Sequence, residues 1–202
     1  MYEALLKFDK DIFLLINGAH NIFFDEVMWW VSKAITWLPV YFLLLFFIIK
    51  KYKTGSVFII LLIALLITLS DMSSVHLFKN VFQRLRPCHA PDLQGLVHII
   101  HNKCGGKYGF VSSHAANFFG IATYFFLILR KDHFSFSVLL FVWATLIAYS
   151  RVYLGVHYPA DIFAGALLGI LCGFAVYSIY LYIIKKYGKK IKCAPVENEL
   201  HC

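Results

Sequence analysis

The sequence predicts an all-α polytopic membrane bundle, with five transmembrane helices preceded by an N-terminal interfacial helix. Three observations carry that expectation. Of 202 residues, 60% are hydrophobic and 15% are charged, a balance too apolar for a soluble domain of this length. The apolar residues fall in long runs, five of them near the ~20 residues that cross a bilayer as a helix. Lys and Arg collect in alternate connectors between those runs, as the positive-inside rule requires.

Taken in order, YEALLKFDKDIFLLI sets Leu5, Phe8, Ile12, Leu15 and Ile16 on one helical face, with Glu3, Lys7, Lys10 and Asp11 mostly elsewhere. That pattern suits a helix lying in the interface. It lacks the basic start, unbroken apolar run and small-residue cleavage site of a secretory signal, and is read as mature chain. Spans are expected at 27–49, 55–77, 114–129, 134–153 and 159–184. With five spans, the basic connectors KKYK (50–53) and RKDH (130–133) and the tail KKYGKKIK (185–192) share one side, the cytoplasm, and the C-terminus lies there. The N-terminal segment, the 78–113 loop and the 154–158 turn then face outward. A bacterial inner membrane, with these segments toward the periplasm or exterior, is the expected setting. One domain is expected over 1–192, with its core at about 55–184, followed by a disordered tail, 193–202. The net charge of +8 is divided between two membrane faces, which argues against nucleic acid as a partner. Nothing in the sequence specifies an oligomer.

Topology brings three charged stretches to the outer edge: KNVFQRLRP (79–87), VSSHA (111–115) and SRVYLGVHYPAD (150–161). An ionisable group at membrane depth costs about 2.5–3.5 kcal/mol on insertion scales, so such groups mark function. Lys79, Arg86 and Arg151, together with Ser112, Ser113 and amides at a helix start, suit a tetrahedral oxyanion. His157 and Asp161 are four apart and share a helical face. A carboxylate on one ring nitrogen fixes the tautomer and frees the other nitrogen to attack. His114 is placed to give a proton to a departing oxygen.

These segments resemble the signature of the type 2 phosphatidic acid phosphatase (PAP2) superfamily. Its first motif, Lys, six residues, Arg-Pro, fits Lys79, Arg86 and Pro87. Its third, Ser-Arg, five residues, His, three residues, Asp, fits Ser150, Arg151, His157 and Asp161. Its second, Pro-Ser-Gly-His, keeps Ser112 and His114, while Val111 and Ser113 replace Pro and Gly. The resemblance implies a lipid phosphatase with His157 as nucleophile forming a phosphohistidine, Asp161 orienting it and His114 as general acid. Lys79, Arg86, Ser112, Ser113 and Arg151 would hold the phosphoryl oxygens. No metal or cofactor is implied, and the sequence offers no acidic cluster for a two-metal site. The expected partners are the bilayer and a lipid phosphate or diphosphate. Undecaprenyl diphosphate ranks first, ahead of phosphatidylglycerophosphate, phosphatidate and the 1-phosphate of lipid A. A non-catalytic lipid-phosphate binding or transport protein is the alternative from another class.

Cys88 and Cys104 lie in the outer loop and are expected to form a disulfide. The rival is a zinc site drawn from Cys88, His89, His98, His101 and Cys104. Arg84 is read as a headgroup anchor, with phosphate contact as its alternative. Trp29, Trp30, Trp37, Tyr41 and Tyr158 are read as interfacial or packing residues, and Gly165 and Gly169 as a close helix contact.

Overall fold

The computed structural model describes residues 2–187, 194–196 and 199–201. The first 186 of these are nearly all helix and loop. Helix α1 (Tyr2–Gly18) is followed by α2 (Ile22–Val31), α3 (Leu38–Tyr52) and α4 (Ser56–Met72), which runs through a π-helical turn, Ser73–Lys79, into α5 (Asn80–Phe82). After the outer loop come α6 (Ser113–Leu129), α7 (Phe134–Tyr153) and α8 (Pro159–Tyr187). Of the tail expected to be disordered, 193, 197, 198 and 202 lie outside the described residues, Cys193 and Cys202 among them. Ala194–Val196 (β1) and Glu199–His201 (β2) pair antiparallel.

Three described helical runs are long and apolar enough to cross a membrane: Ala34–Phe82, Phe134–Tyr153 and Pro159–Tyr187; Ser113–Leu129 is shorter. The first run has two arms, because Lys53 (φ 46, ψ −116) leaves helical geometry. Helix α3 leads from Ser32, bonded to Arg151, to Lys51, paired with Asp132. Helix α4 returns from Phe58, stacked on Tyr180, to Ser74 and Lys79 beside Ser113. The span expected at 27–49 needs correction. Ser32 closes α2 by donating its N–H to Met28 and Trp30, Lys33 is extended (φ −84, ψ 128), and Pro39 sits in the first turn of α3. A proline at a helix start needs no partner for its missing N–H.

Helix α6 is the hub. It is buried along nearly its whole length, from Ala115 to Leu129, and a helix apolar on all sides belongs inside a bundle. Its contact with α8 runs along Gly165, Gly169 and Gly173. A Cβ at Gly169 would stand 2.1 Å from the Ala116 carbonyl oxygen, and one at Gly165 would stand 2.5 Å from that of Ser112. Backbone-to-backbone approach of this kind needs small residues. Outward positions on α3, α4 and α8, such as Phe42, Leu61, Phe163 and Leu171, are exposed hydrophobics, suited to lipid.

On α1 the face that packs differs from the face that is most apolar. Asp9, Phe13 and Asn17 are buried, whereas Leu5 is 61%, Phe8 63% and Leu15 74% exposed. The helix turns its polar-bearing stripe to α7 and α8 and presents Leu5, Phe8 and Leu15 outward, while Ile16 of the apolar stripe packs inward.

Candidate active site

The second outer stretch opens α6. Ser112 is the N-cap, extended at φ −72 and ψ 113, and its hydroxyl accepts the Ala115 N–H at 3.4 Å. Its own amide donates to the Asp161 carbonyl at 3.0 Å, which ties the start of α6 to α8. Ser113 follows, its hydroxyl 2.6 Å from Ser74 Oγ and accepting from Lys79 Nζ at 2.6 Å. The serine in the family's glycine position thus holds the lysine that the π-helical turn delivers. Such turns recur at functional sites.

The third stretch joins α7 to α8. The reversal passes through Gly155 (φ +76), where a Cβ would meet the His98 carbonyl at 2.8 Å, so only glycine fits. His157 follows, 1% exposed. Its Nδ1 lies 3.3 Å from Asp161 Oδ2 and its Nε2 lies 3.3 Å from Arg86 Nη1. Arginine can only donate, so Nε2 is the accepting nitrogen and the proton is on Nδ1, directed at the carboxylate. Burial, reinforced by the positive charges of Arg86, Arg151 and Lys79, drives the His157 pKa well below that of an ordinary histidine. The ring is therefore neutral with a lone pair on Nε2.

Asp161 is fully buried. Its Oδ2 also accepts the Tyr158 N–H at 3.0 Å, and its Oδ1 accepts Arg84 Nη1 at 3.0 Å. The other arm of Arg84 reaches Asp9 Oδ2 at 2.5 Å, and the guanidinium lies 4.0 Å over the Tyr158 ring. Asp9 Oδ1 accepts the Ala160 N–H at 2.8 Å, at the start of α8. Arg84 therefore faces inward, bridging two acids, and is not a headgroup anchor. No sequence signal joins Asp9 to it, since the two are 75 residues apart.

The remaining cations converge from separate elements. Arg86 Nη1 also donates to the Val156 carbonyl at 3.3 Å, and Arg151 Nη1 donates to Ser32 Oγ at 3.1 Å. The Nε of each is buried without a partner among the described residues. His114, near the start of α6, lies within electrostatic range of Arg151, His157, Arg86 and Lys79. It stands where two cavities meet. One, of about 620 Å³, is apolar and walled by α3, α4 and α6; the other, of about 400 Å³, holds Arg151. The structure thus gathers Lys79, Arg86, Ser112, Ser113, His114, Arg151, His157 and Asp161 at one end of the bundle.

Cys88 and Cys104 are disulfide-bonded, so their thiolates are unavailable to the zinc set weighed against that bond. That set is also dispersed: His98 Nε2 lies 2.9 Å from Asp25 Oδ2, and His101 Nε2 lies 2.9 Å from Glu26 Oε1.

Comparison with known proteins accords with this geometry. A family model described as the PAP2 superfamily matches residues 56–185. The chain is 34% identical to a lipid A 4'-phosphatase of Porphyromonas gingivalis over 89% of this chain and 76% of that protein. It is 29% identical to an undecaprenyl-diphosphatase of Sulfolobus acidocaldarius over 83% of this chain and 76% of that one. Its fold matches the crystal structure of a transmembrane PAP2-type phosphatidylglycerolphosphate phosphatase from Bacillus subtilis, with a TM-score of 0.68, 26% identity, and coverage of 89% of this chain and 88% of that chain.

Proposed function

The chain belongs to the PAP2 superfamily, and from that premise we propose that it hydrolyses a lipid phosphate without a metal, through a phosphohistidine at His157. It is an integral membrane protein and a phosphate ester hydrolase. The observation that supports the mechanism is the His157 ring held between Asp161 at Nδ1 and Arg86 at Nε2, a setting that favours Nδ1–H and an unprotonated Nε2. Arg86 swings from Nε2 onto the incoming phosphoryl oxygens, joined by Lys79, Arg151 and the Ser112–Ser113 helix start. Nε2 attacks phosphorus in line as the bond to the lipid oxygen breaks, and His114 gives that oxygen its proton. Asp161 stays ionised and stabilises the positive ring. Water then attacks the phosphohistidine, its proton passing to His114, and inorganic phosphate leaves with His157 neutral again. Charge stabilisation by the clustered cations is the main source of rate.

For the substrate, the stronger likeness to a lipid A 4'-phosphatase (34%) than to an undecaprenyl-diphosphatase (29%) moves a lipid A phosphate, at the 4' position, ahead of undecaprenyl diphosphate. The undecaprenyl lipid stays as the second reading. The apolar cavity supports an amphiphile, since its walls of Leu44, Ile48, Ile63 and Phe118 suit a hydrocarbon chain. We take α3, α4, α6, α7 and α8 as five spans, with α1 in the interface. The Lys51–Asp132 end then faces the cytoplasm and the site faces the periplasm or exterior.

The test is phosphate release in detergent with EDTA from lipid A, undecaprenyl diphosphate, phosphatidylglycerophosphate and phosphatidate, with His157→Ala as control. Release from lipid A that survives EDTA and disappears in the variant is expected. Faster release from undecaprenyl diphosphate would restore the second reading.

A further inference from the structure

Beside the catalytic cations stand groups that phosphoryl transfer does not use. The second cavity, of about 400 Å³, has Arg151 and His114 in its wall together with Trp29, Lys33 and Lys103. Its size falls in the range of small-molecule sites and exceeds what one phosphate group needs. Ala34 and His114 line both this cavity and the apolar one, so a lipid whose phosphate reaches the cations and whose chain enters the apolar cavity leaves this mixed, lysine-bearing space for its head.

The residues there have a distinct chemistry. Lys33 Nζ lies 4.7 Å over the Trp29 ring and 4.1 Å over the Trp30 ring, and Lys103 is exposed beside the disulfide. Among the described residues neither lysine has a carboxylate partner, unlike Lys10, Lys51 and Arg84, which are paired. Trp29 is fixed by His101, with ring centroids 4.8 Å apart, and by packing on the cluster of Ile100, Tyr153, Leu154 and Val156. Lys33 covers the Trp29 ring face, and an anionic ligand group that draws the ammonium away uncovers it, so the pair suits a ligand with both an apolar ring face and an anionic group, with Lys103 as the second ammonium. A pyranose offers the first through its axial C–H groups. A second phosphate on the saccharide, remote from the cleaved one, offers the other.

We propose that Trp29, Lys33 and Lys103 form a head-group subsite for a phosphorylated saccharide, selecting glycolipid phosphates that carry a second anionic group away from the scissile phosphate. The proposal rests on the phosphatase reading above. Phosphatidate has no head beyond its phosphate, and in undecaprenyl diphosphate the second phosphate adjoins the first, so neither fills this space in the same way.

The experiment compares kcat/KM on bisphosphorylated lipid A, undecaprenyl diphosphate and phosphatidate for the full chain, Trp29→Ala, and a Lys33→Gln/Lys103→Gln double variant. Lipid A turnover should fall at least tenfold in each, chiefly through KM, while phosphatidate turnover changes less than twofold. The preserved phosphatidate activity reports an intact fold, and Trp29→Phe replaces Trp29→Ala if the latter does not fold. Equal changes on all three lipids, or none on lipid A, would overturn the subsite. If the unaltered chain releases no phosphate from any lipid, the phosphatase reading fails by itself. Lipid A binding to these variants in a His157→Ala background then decides: tenfold weakening supports the subsite, and unchanged affinity overturns it.

Discussion

Replacing Arg84 by Ala should slow turnover without abolishing the fold. The guanidinium donates to Asp161 Oδ1 at 3.0 Å and to Asp9 Oδ2 at 2.5 Å, and Asp161 in turn holds His157 Nδ1. Loss of Arg84 leaves Asp161 with the Tyr158 amide and the His157 ring, free to rotate away from the angle that directs Nε2. A hydrogen bond to a charged group is worth about 1.5–3 kcal/mol. Arg84 is only 21% exposed and Asp161 is 0% exposed, so solvent does little to replace it. If that energy is felt in the transition state, kcat falls about 10- to 150-fold, at 1.36 kcal/mol per tenfold, while KM changes little because Arg84 does not face the cavities. Arg84→Lys should recover part of the loss, since one ammonium cannot span both acids. Asp9→Asn should lose less than Arg84→Ala, because its amide oxygen can still accept the Ala160 N–H. The assay is initial-rate phosphate release across lipid concentration, with detergent-resistant folding checked by gel filtration. A folded Arg84→Ala protein with unchanged kcat would refute the positioning argument.

Other expectations follow from the same geometry. The His157 pKa is held well below 6.5, so the ring is already neutral at pH 6.5 and gains its proton only on further acidification. The acidic limb of kcat/KM should therefore lie below that value, and a midpoint at or above pH 6.5 would contradict the burial argument. Gly169→Val places a Cβ 2.1 Å from the Ala116 carbonyl and should cost about 1–3 kcal/mol or more in thermal or denaturant unfolding, lowering activity as the α6 start shifts. Gly18→Ala, with nothing within 4 Å, serves as the silent control. Reduction of Cys88–Cys104, sixteen residues apart, should lower stability by about 3 kcal/mol, and an unchanged unfolding midpoint in dithiothreitol would show that the bond contributes nothing.

The long helices were legible because lipid-facing segments must be apolar throughout, so α7 and α8 begin where the hydropathy rises. The grouping of Lys79, Arg86, His114, Arg151, His157 and Asp161 was expected from the resemblance of the three outer stretches to the PAP2 motifs, and the structure brings these side chains to one end of the bundle. The break at Ser32–Lys33 escaped because hydropathy averaged over a span length absorbs the two polar residues in VMWWVSKAITWLPV, although Ser32–Lys33 and Pro39 carry the local signal for a helix end and a new start. The packed face of α1 escaped for a related reason. Sequence periodicity marks its greasiest stripe, whereas Asp9 and Asn17 are buried by partners distant in the chain: Arg84 and Ala160 for the first, His98 and Tyr153 for the second. The role of Arg84 belongs to the same class, since it is set by two carboxylates that only the fold brings together.

The most direct test of the central claim is to trap the covalent intermediate. The purified protein would be mixed with lipid A labelled with radioactive phosphate at the 4' position, in EDTA, and quenched in alkali within the first turnover. The account predicts protein-bound phosphate that resists alkali, is released by acid, maps to His157 and is absent from His157→Ala. Turnover by His157→Ala at the rate of the unaltered chain, or rapid turnover with no label on His157, would contradict it.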